Sequence, residues 1–257
     1  MKRVLFAALV ITALLLSLVG TVAAAPPADN PGKGPPELER IDFIHYAKDF
    51  APGKPEGTPG KGPGGGNGDE DPIDYYKLSK LILTETAEYY VNPSGSGIAI
   101  ASDVVDAVSS GFEAWDAVTS TELFSDTVEI TSDAGRVRNY SNIISWGALK
   151  EGIVAVATMW YIPGKPPREI VEFDVVFNTF YAWGIDPDGE LDGYILEDAF
   201  DVRNIVTHEA GHVVGLDDLY DKTYSELTMY GYSEEGETKK TSLENGDKLG
   251  CQYLYGE

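Results

Sequence analysis

Apolar residues recur along this chain with two periods, and their order predicts the elements. Between residues 74 and 92 the pattern alternates, most clearly over Ala87-Glu88-Tyr89-Tyr90-Val91, and it predicts strands that end in the turn Asn92-Pro93-Ser94-Gly95. From Ala101 to Val118 the period becomes helical: Val104, Val105, Val108, Phe112 and Trp115 make one stripe, with Ser102 as N-cap. Strand patterns follow at Val128-Glu129-Ile130, Asn142 to Gly147, Gly152 to Tyr161 and Ile170 to Asn178. Pro163-Gly164-Lys165-Pro166-Pro167 joins the last two as an antiparallel pair. Asp201 to Leu216 returns to the helical period, with Val202, Ile205, Val206 and Val213 facing the core, and another helix closes the chain. Strand, helix, several strands, then helix predicts an α+β domain over 74–257.

Upstream the composition changes. Residues 1–25 have a charged start at Lys2 and Arg3, an apolar run from Val4 to Val19 and a small-residue end at Ala23-Ala24-Ala25, which reads as a signal peptide. The run is also long enough for an uncleaved anchor. Residues 26–73 are rich in proline and glycine and read as a flexible pro-region or linker, with Pro-Gly-Lys-Gly-Pro at 31–35 recurring at 59–63. One amphipathic island interrupts it, Leu38-Glu39-Arg40-Ile41-Asp42-Phe43-Ile44-His45-Tyr46. It is either a sticky patch on a linker or an inhibitory remnant whose His45 or Asp42 reaches the functional site.

The formal net charge of -23 argues against nucleic acid or anionic lipid as partners. The single cysteine, Cys251, excludes an intramolecular disulfide and reads as a core residue.

The chemistry gathers in His208-Glu209-Ala210-Gly211-His212-Val213-Val214-Gly215-Leu216-Asp217-Asp218. Histidines four apart on a helix share a face, so both can reach one zinc ion at about 2.0–2.1 Å, with Glu209 beside them. A catalytic zinc site needs a further donor. The chain has 3 histidines, so that donor is a carboxylate, His45, or missing. Gly215 suits a helix end, and the chain then returns with Asp218, in the pattern H-E-x-x-H-x-x-G-x-x-H/D.

This motif resembles that of the metzincin metallopeptidases, in the form with aspartate at the last position. Met229, in Leu227-Thr228-Met229-Tyr230-Gly231-Tyr232, resembles their Met-turn, and Asp247 to Gly256 is similar to the closing helix of matrixins. The likeness covers roughly residues 74–257 and is nearest to secreted microbial matrixin-like peptidases. It implies a metzincin-type zincin with a twisted mixed sheet, an active-site helix, the Met-turn and a C-terminal helix. It implies zinc on His208, His212 and Asp218, Glu209 as general base, and Met229 as an apolar floor rather than a ligand. The expected function is a secreted endopeptidase acting on protein or peptide substrates that lie along the strand Gly152 to Tyr161. No stable membrane association is expected once the signal peptide is removed.

Asp217 competes with Asp218, and the family spacing selects Asp218. A thermolysin-like arrangement would instead take Glu234 as third donor. Tyr230 and Tyr232 flank the position where some metzincins carry a tyrosine ligand; here that position is Gly231, so the role is not carried over. Asp186, Asp188, Glu190 and Asp192 form an acidic turn that is either a structural calcium site or a solvated surface loop. The alternative function is a catalytically silent secreted or cell-surface binding protein on the same scaffold.

Overall fold

The structure is a computed structural model that describes residues 37–50, 74–186 and 197–257. The signal-peptide reading of 1–25 and most of the pro-region lie outside these residues, as do Asp188, Glu190 and Asp192. In chain order the strands and helices are β1 (Glu39–Ala47), β2 (Leu81–Ile82), β3 (Tyr89–Val91), α1 (Ala101–Asp116), β4 (Glu129–Ile130), β5 (Asn142–Gly147), β6 (Ile153–Tyr161), β7 (Arg168–Asn178), β8 (Trp183–Gly184), β9 (Phe200–Asp201), α2 (Val202–Val213), β10 (Tyr232–Ser233) and α3 (Asn245–Tyr255).

The main sheet runs β10-β1-β6-β7-β5-β3-β4, with β2 beside β7. It is mixed. β5 lies parallel to β7 and β3, while β6 is antiparallel to β7 from Ala155↔Phe177 to Tyr161↔Ile170. The hairpin predicted at 163–167 is therefore present.

The largest departure from the sequence pattern is β1. Part of what composition groups as a linker is a nine-residue strand inside the sheet. Its own alternation explains this. Phe43, His45 and Ala47 are buried, while Arg40 and the residues between them turn the other way. An island with that period has enough apolar surface to order, despite the Pro/Gly sequence on either side.

Two helices pack together beneath the sheet. Val104, Ala107, Val108, Gly111, Phe112 and Trp115 form the buried face of α1. Ser102 does not cap it; the N-cap position is Ile100, with no side-chain bond. Gly111 lets the helices approach: a Cβ there would strike Val206 Cγ1 and lie 3.0 Å from Thr207 Oγ1. Trp115 Nε1 donates to Thr207 O at 2.9 Å, so the buried indole is satisfied and α1 is fixed against α2. The expected core residues of α2 (Val202, Ile205, Val206 and Val213) are all fully buried.

Candidate metal centre

Local sequence sets the position of α2. Asp201 is its N-cap, with Oδ1 accepting from Asn204 N at 2.6 Å. The far end closes at Gly215, whose φ is +102°. Gly215 N donates to His212 O and Leu216 N to Gly211 O, the paired bonds of a Schellman end. A Cβ at Gly215 would also collide with Leu81 O, so glycine is required twice over. The chain then returns across the helix and brings in Asp218.

The return assembles a cluster. His208, His212 and Asp218 are buried, and their donor atoms lie within 4.8 Å of one another. Asp218 Oδ1 stands 3.2 Å from His208 Nε2 and 3.5 Å from His212 Nε2. Those spacings match the edges of a tetrahedron built on zinc bonds of about 2.0–2.1 Å, which are about 3.3–3.4 Å long.

The surrounding bonds orient each donor. His208 Nδ1 donates to Thr228 O at 2.7 Å, and His212 Nδ1 donates to Leu216 O at 3.1 Å. Both imidazoles therefore turn Nε2 lone pairs toward the Asp218 carboxylate, an arrangement that needs a positive charge between them. Tyr220 donates its hydroxyl to Asp218 Oδ2 at 2.8 Å, leaving Oδ1 facing inward. His208 Nε2, His212 Nε2, Asp218 Oδ1 and Glu209 Oε2 are buried with no hydrogen-bond partner among the described residues. Three orphaned donor atoms within 4.8 Å of one another fit a divalent cation, with the unpartnered Glu209 oxygen on the residue beside His208.

Charges respond accordingly. Burial pushes the Glu209 carboxyl up to about 8, against the pull of His212. Burial holds His208 down to about 4. Burial also opposes charge on His212, but the Asp218 carboxylate outweighs it and raises His212 to about 9. Without metal, a proton on His212 stands where the cation would be.

A floor lies beneath the cluster. Met229 is buried against Gly211, where a Cβ would collide with Met229 Sδ and lie 2.8 Å from Trp115 Cζ2. The glycine inside the histidine motif is thus a packing requirement of the methionine turn. Gly211→Ala is expected to destabilise the chain by roughly 1–3 kcal/mol, lowering the melting temperature by several degrees, because the sulfur cannot yield without moving Thr228 and hence His208. Thermal unfolding with matched zinc titration checks this. Asp247 holds the same turn from α3, accepting from Thr228 N at 2.9 Å and Met229 N at 3.2 Å while closing the capping box with Glu244.

Sequence reasoning placed His208, Glu209, His212, Asp218 and Met229, and the structure brings all five together. It leaves Glu234 out, since that side chain is exposed and paired with Lys48 at 2.7 Å. Asp217 instead pairs with Lys77 at 2.8 Å. Asp42 points away from the cluster, bonded to Arg40 and Thr158. Asp186 is buried, its N–H donating to Asp201 Oδ2, and it belongs to no group of potential metal donors among the described residues. Cys251 is fully buried, and burial pushes its thiol up to about 12, which makes it unreactive. Thr228, Tyr220, Asp247, Ser233 and Lys240 were missed. Only Tyr220, two residues from Asp218, carried a signal that local spacing could have used.

Several buried carboxylates give the metal-free chain a pH signature. Burial raises Asp174 to about 7 and Asp201 and Asp247 to about 6. A carboxyl raised on folding binds protons better in the folded state, so stability rises as pH falls from 8. Below roughly pH 6.5 His45 and His208, held neutral by burial, take up protons only on unfolding and offset part of this gain. The melting temperature of the chelated protein should therefore rise as pH falls from 8.5 to roughly 6, and less steeply per group below that, which a scan from pH 4.5 to 8.5 tests.

A helix carrying two histidine donors, a returning aspartate and a methionine turn below them define a metzincin. The chain matches the matrixin model (peptidase M10) over residues 84–256 and belongs to the matrixin family of metallopeptidases. The crystal structure of metalloproteinase-II from Bacteroides fragilis is similar, with 12% identity over 70% of this chain and a TM-score of 0.35. The match covers 60% of that structure's chain. No curated protein sequence matches.

Proposed function

We propose that the chain is an exported zinc endopeptidase, with zinc on His208, His212 and Asp218 and with Glu209 as the proton-transfer group. The observation that carries this is the set of four buried orphan atoms, three of them donors at tetrahedral spacing and the fourth a carboxylate oxygen. Export is supported by the N-terminal sequence alone.

Zinc bound at this cluster would supply Lewis acidity, polarising the scissile carbonyl and acidifying a water. The remaining work falls to the protein. Glu209 takes the proton from the attacking water on Oε2 and delivers it to the leaving amine nitrogen. Its buried setting raises its proton affinity toward neutral pH, where both transfers are near balance, and a cation beside it draws the value down again. Thr228 O and Leu216 O keep the imidazoles aimed, and Tyr220 fixes the carboxylate. Met229, packed against Gly211, forms the apolar floor.

The purified chain should bind one zinc ion, lose it to 1,10-phenanthroline and recover it on zinc addition, with casein hydrolysis following the metal. A chain that holds no zinc under saturating conditions would end this reading.

A further inference from the structure

The loop that returns from α2 carries more of the metal centre than its aspartate. Leu216 O accepts from His212 Nδ1, and Asp218 follows two residues later. The position of residues 215–218 therefore sets two of the three donors. On one side the loop is fixed by the methionine turn, with Leu219 N donating to Met229 O and Gly231 N to Leu219 O, each at 2.9 Å. On the other side stands a stretch far upstream, residues 77–79.

Two backbone bonds join that stretch to the loop. Ser79 N donates to Gly215 O and Asp217 N donates to Lys77 O, both at 2.8 Å, on either side of an antiparallel bridge between Leu78 and Leu216. Lys77 adds its side chain. Its Nζ lies 2.8 Å from Asp217 Oδ2 and 3.5 Å from Asp218 O, and Asp217 Oδ1 accepts from Asp218 N at 2.9 Å. With Tyr220 on Oδ2, Asp218 is held at its N–H, its carbonyl and its outer carboxylate oxygen.

The stretch has a footing of its own. It runs into β2, which lies parallel to β7 in the register Leu81↔Arg168 and Ile82↔Glu169, and Arg168 N donates to Lys80 O at 2.9 Å. Leu83 N then donates to the Tyr255 hydroxyl, which donates in turn to Val214 O, each at 3.0 Å. Lys80 turns the chain between the two parts with φ +71°, a left-handed conformation that a lysine keeps only where its surroundings fix it. Residues 77–83 thus form a strap from the main sheet across the end of α2. The strap lies outside the family match, which begins at residue 84.

We propose that Lys77–Ser79 is a positioning element of the zinc centre, a backbone splint that holds the return loop where Asp218 and His212 converge. This rests on the reading of the cluster as a peptidase zinc site. Its main force is the backbone pair. The Lys77–Asp217 pair is partly exposed and weak, so its loss alone moves zinc affinity only a few-fold. The coupling is reciprocal: if the splint favours the zinc-holding position of the loop, bound zinc favours the splint by the same factor.

That reciprocity gives a test on the unaltered full chain. Amide hydrogen exchange is compared between the zinc-loaded and the chelated protein. The Ser79 and Asp217 amides should exchange about tenfold or more slowly with zinc, while those of the β5–β7 ladder change little. An equal change in both sets would mean that zinc acts on the whole fold, and no change at Ser79 would mean no coupling; either overturns the proposal. A pair of variants adds a second reading. Ser79→Pro deletes the N–H that bonds Gly215 O, and Leu78 before it is already extended in the bridge. Ser79→Ala keeps that N–H and loses only the hydroxyl, which accepts from Leu81 N at 3.3 Å. Zinc affinity should fall about tenfold or more with proline and stay within a few-fold with alanine. The visible spectrum of the cobalt-substituted chain, which reports donor geometry, should change with proline alone. Equal affinities and spectra in the two folded variants would overturn the proposal. If the proline variant does not fold, the exchange measurement decides. Zinc-dependent protection at Ser79 without casein hydrolysis supports the splint and counts against the peptidase reading; hydrolysis without that protection leaves the peptidase and removes the splint.

Discussion

Glu209→Gln should reduce casein hydrolysis by about 10²–10⁴-fold and leave zinc content unchanged. Glutamine preserves the volume and an oxygen at a fully buried position, so the helix and the donors around it stay in place. What is lost is the ability to hold and return a proton. Glu209 Oε2 is the only carboxylate oxygen among the four orphaned atoms other than the Asp218 donor. The measurement is kcat/KM, with zinc counted in parallel. Full activity with glutamine at 209 would mean that another group moves the proton. Loss of zinc together with activity would assign Glu209 a structural part in the metal site.

The second large effect separates two adjacent carboxylates. Asp218→Ala should weaken zinc binding by more than the roughly 10–100-fold that a change in the surrounding shell carries, because it removes a direct donor and leaves Tyr220 without its buried acceptor. Asp217→Ala should leave the affinity within a few-fold of the original, since its carboxylate is spent on Lys77 and on Asp218 N. Competition titration against a zinc chelator reads both. The reverse order would reassign the third donor. Asp218 is held well below the usual carboxylate range: burial raises it, but His212 and His208 outweigh that, so it is ionised at any pH where the fold survives.

Much of this site was legible because its donors are local in sequence. Helical spacing puts His208 and His212 on one face, a glycine suited to positive φ ends the helix, and the return is short enough to fix Asp218. Met229 was readable by resemblance. What escaped is bonded across the chain. His45 meets Glu209 over 164 residues and Ser233 over 188, and Lys240 reaches the carbonyls of Tyr230 and Tyr232 from a fully buried position. No periodicity in a single segment encodes such partners. Composition misled at β1, because averaging over 26–73 hid a nine-residue alternation between two glycine-rich stretches. The expected helix cap at Ser102 failed for a smaller reason. Pattern places helix ends only to within a turn, and the N-cap falls two residues earlier, at Ile100.

The seating of β1 between β6 and β10 also bears on solubility. While it is in place, the β6 backbone amides and carbonyls are matched on both sides and the adjoining apolar side chains stay covered. Without it, two unpaired borders would face each other across a gap that fits any extended chain, including the same strand from a neighbouring molecule. A chain lacking β1 would then be the species most prone to self-association, by strand exchange between copies. The surplus of acidic residues, a net charge of -23, opposes that encounter at low salt and does so less as salt screens it.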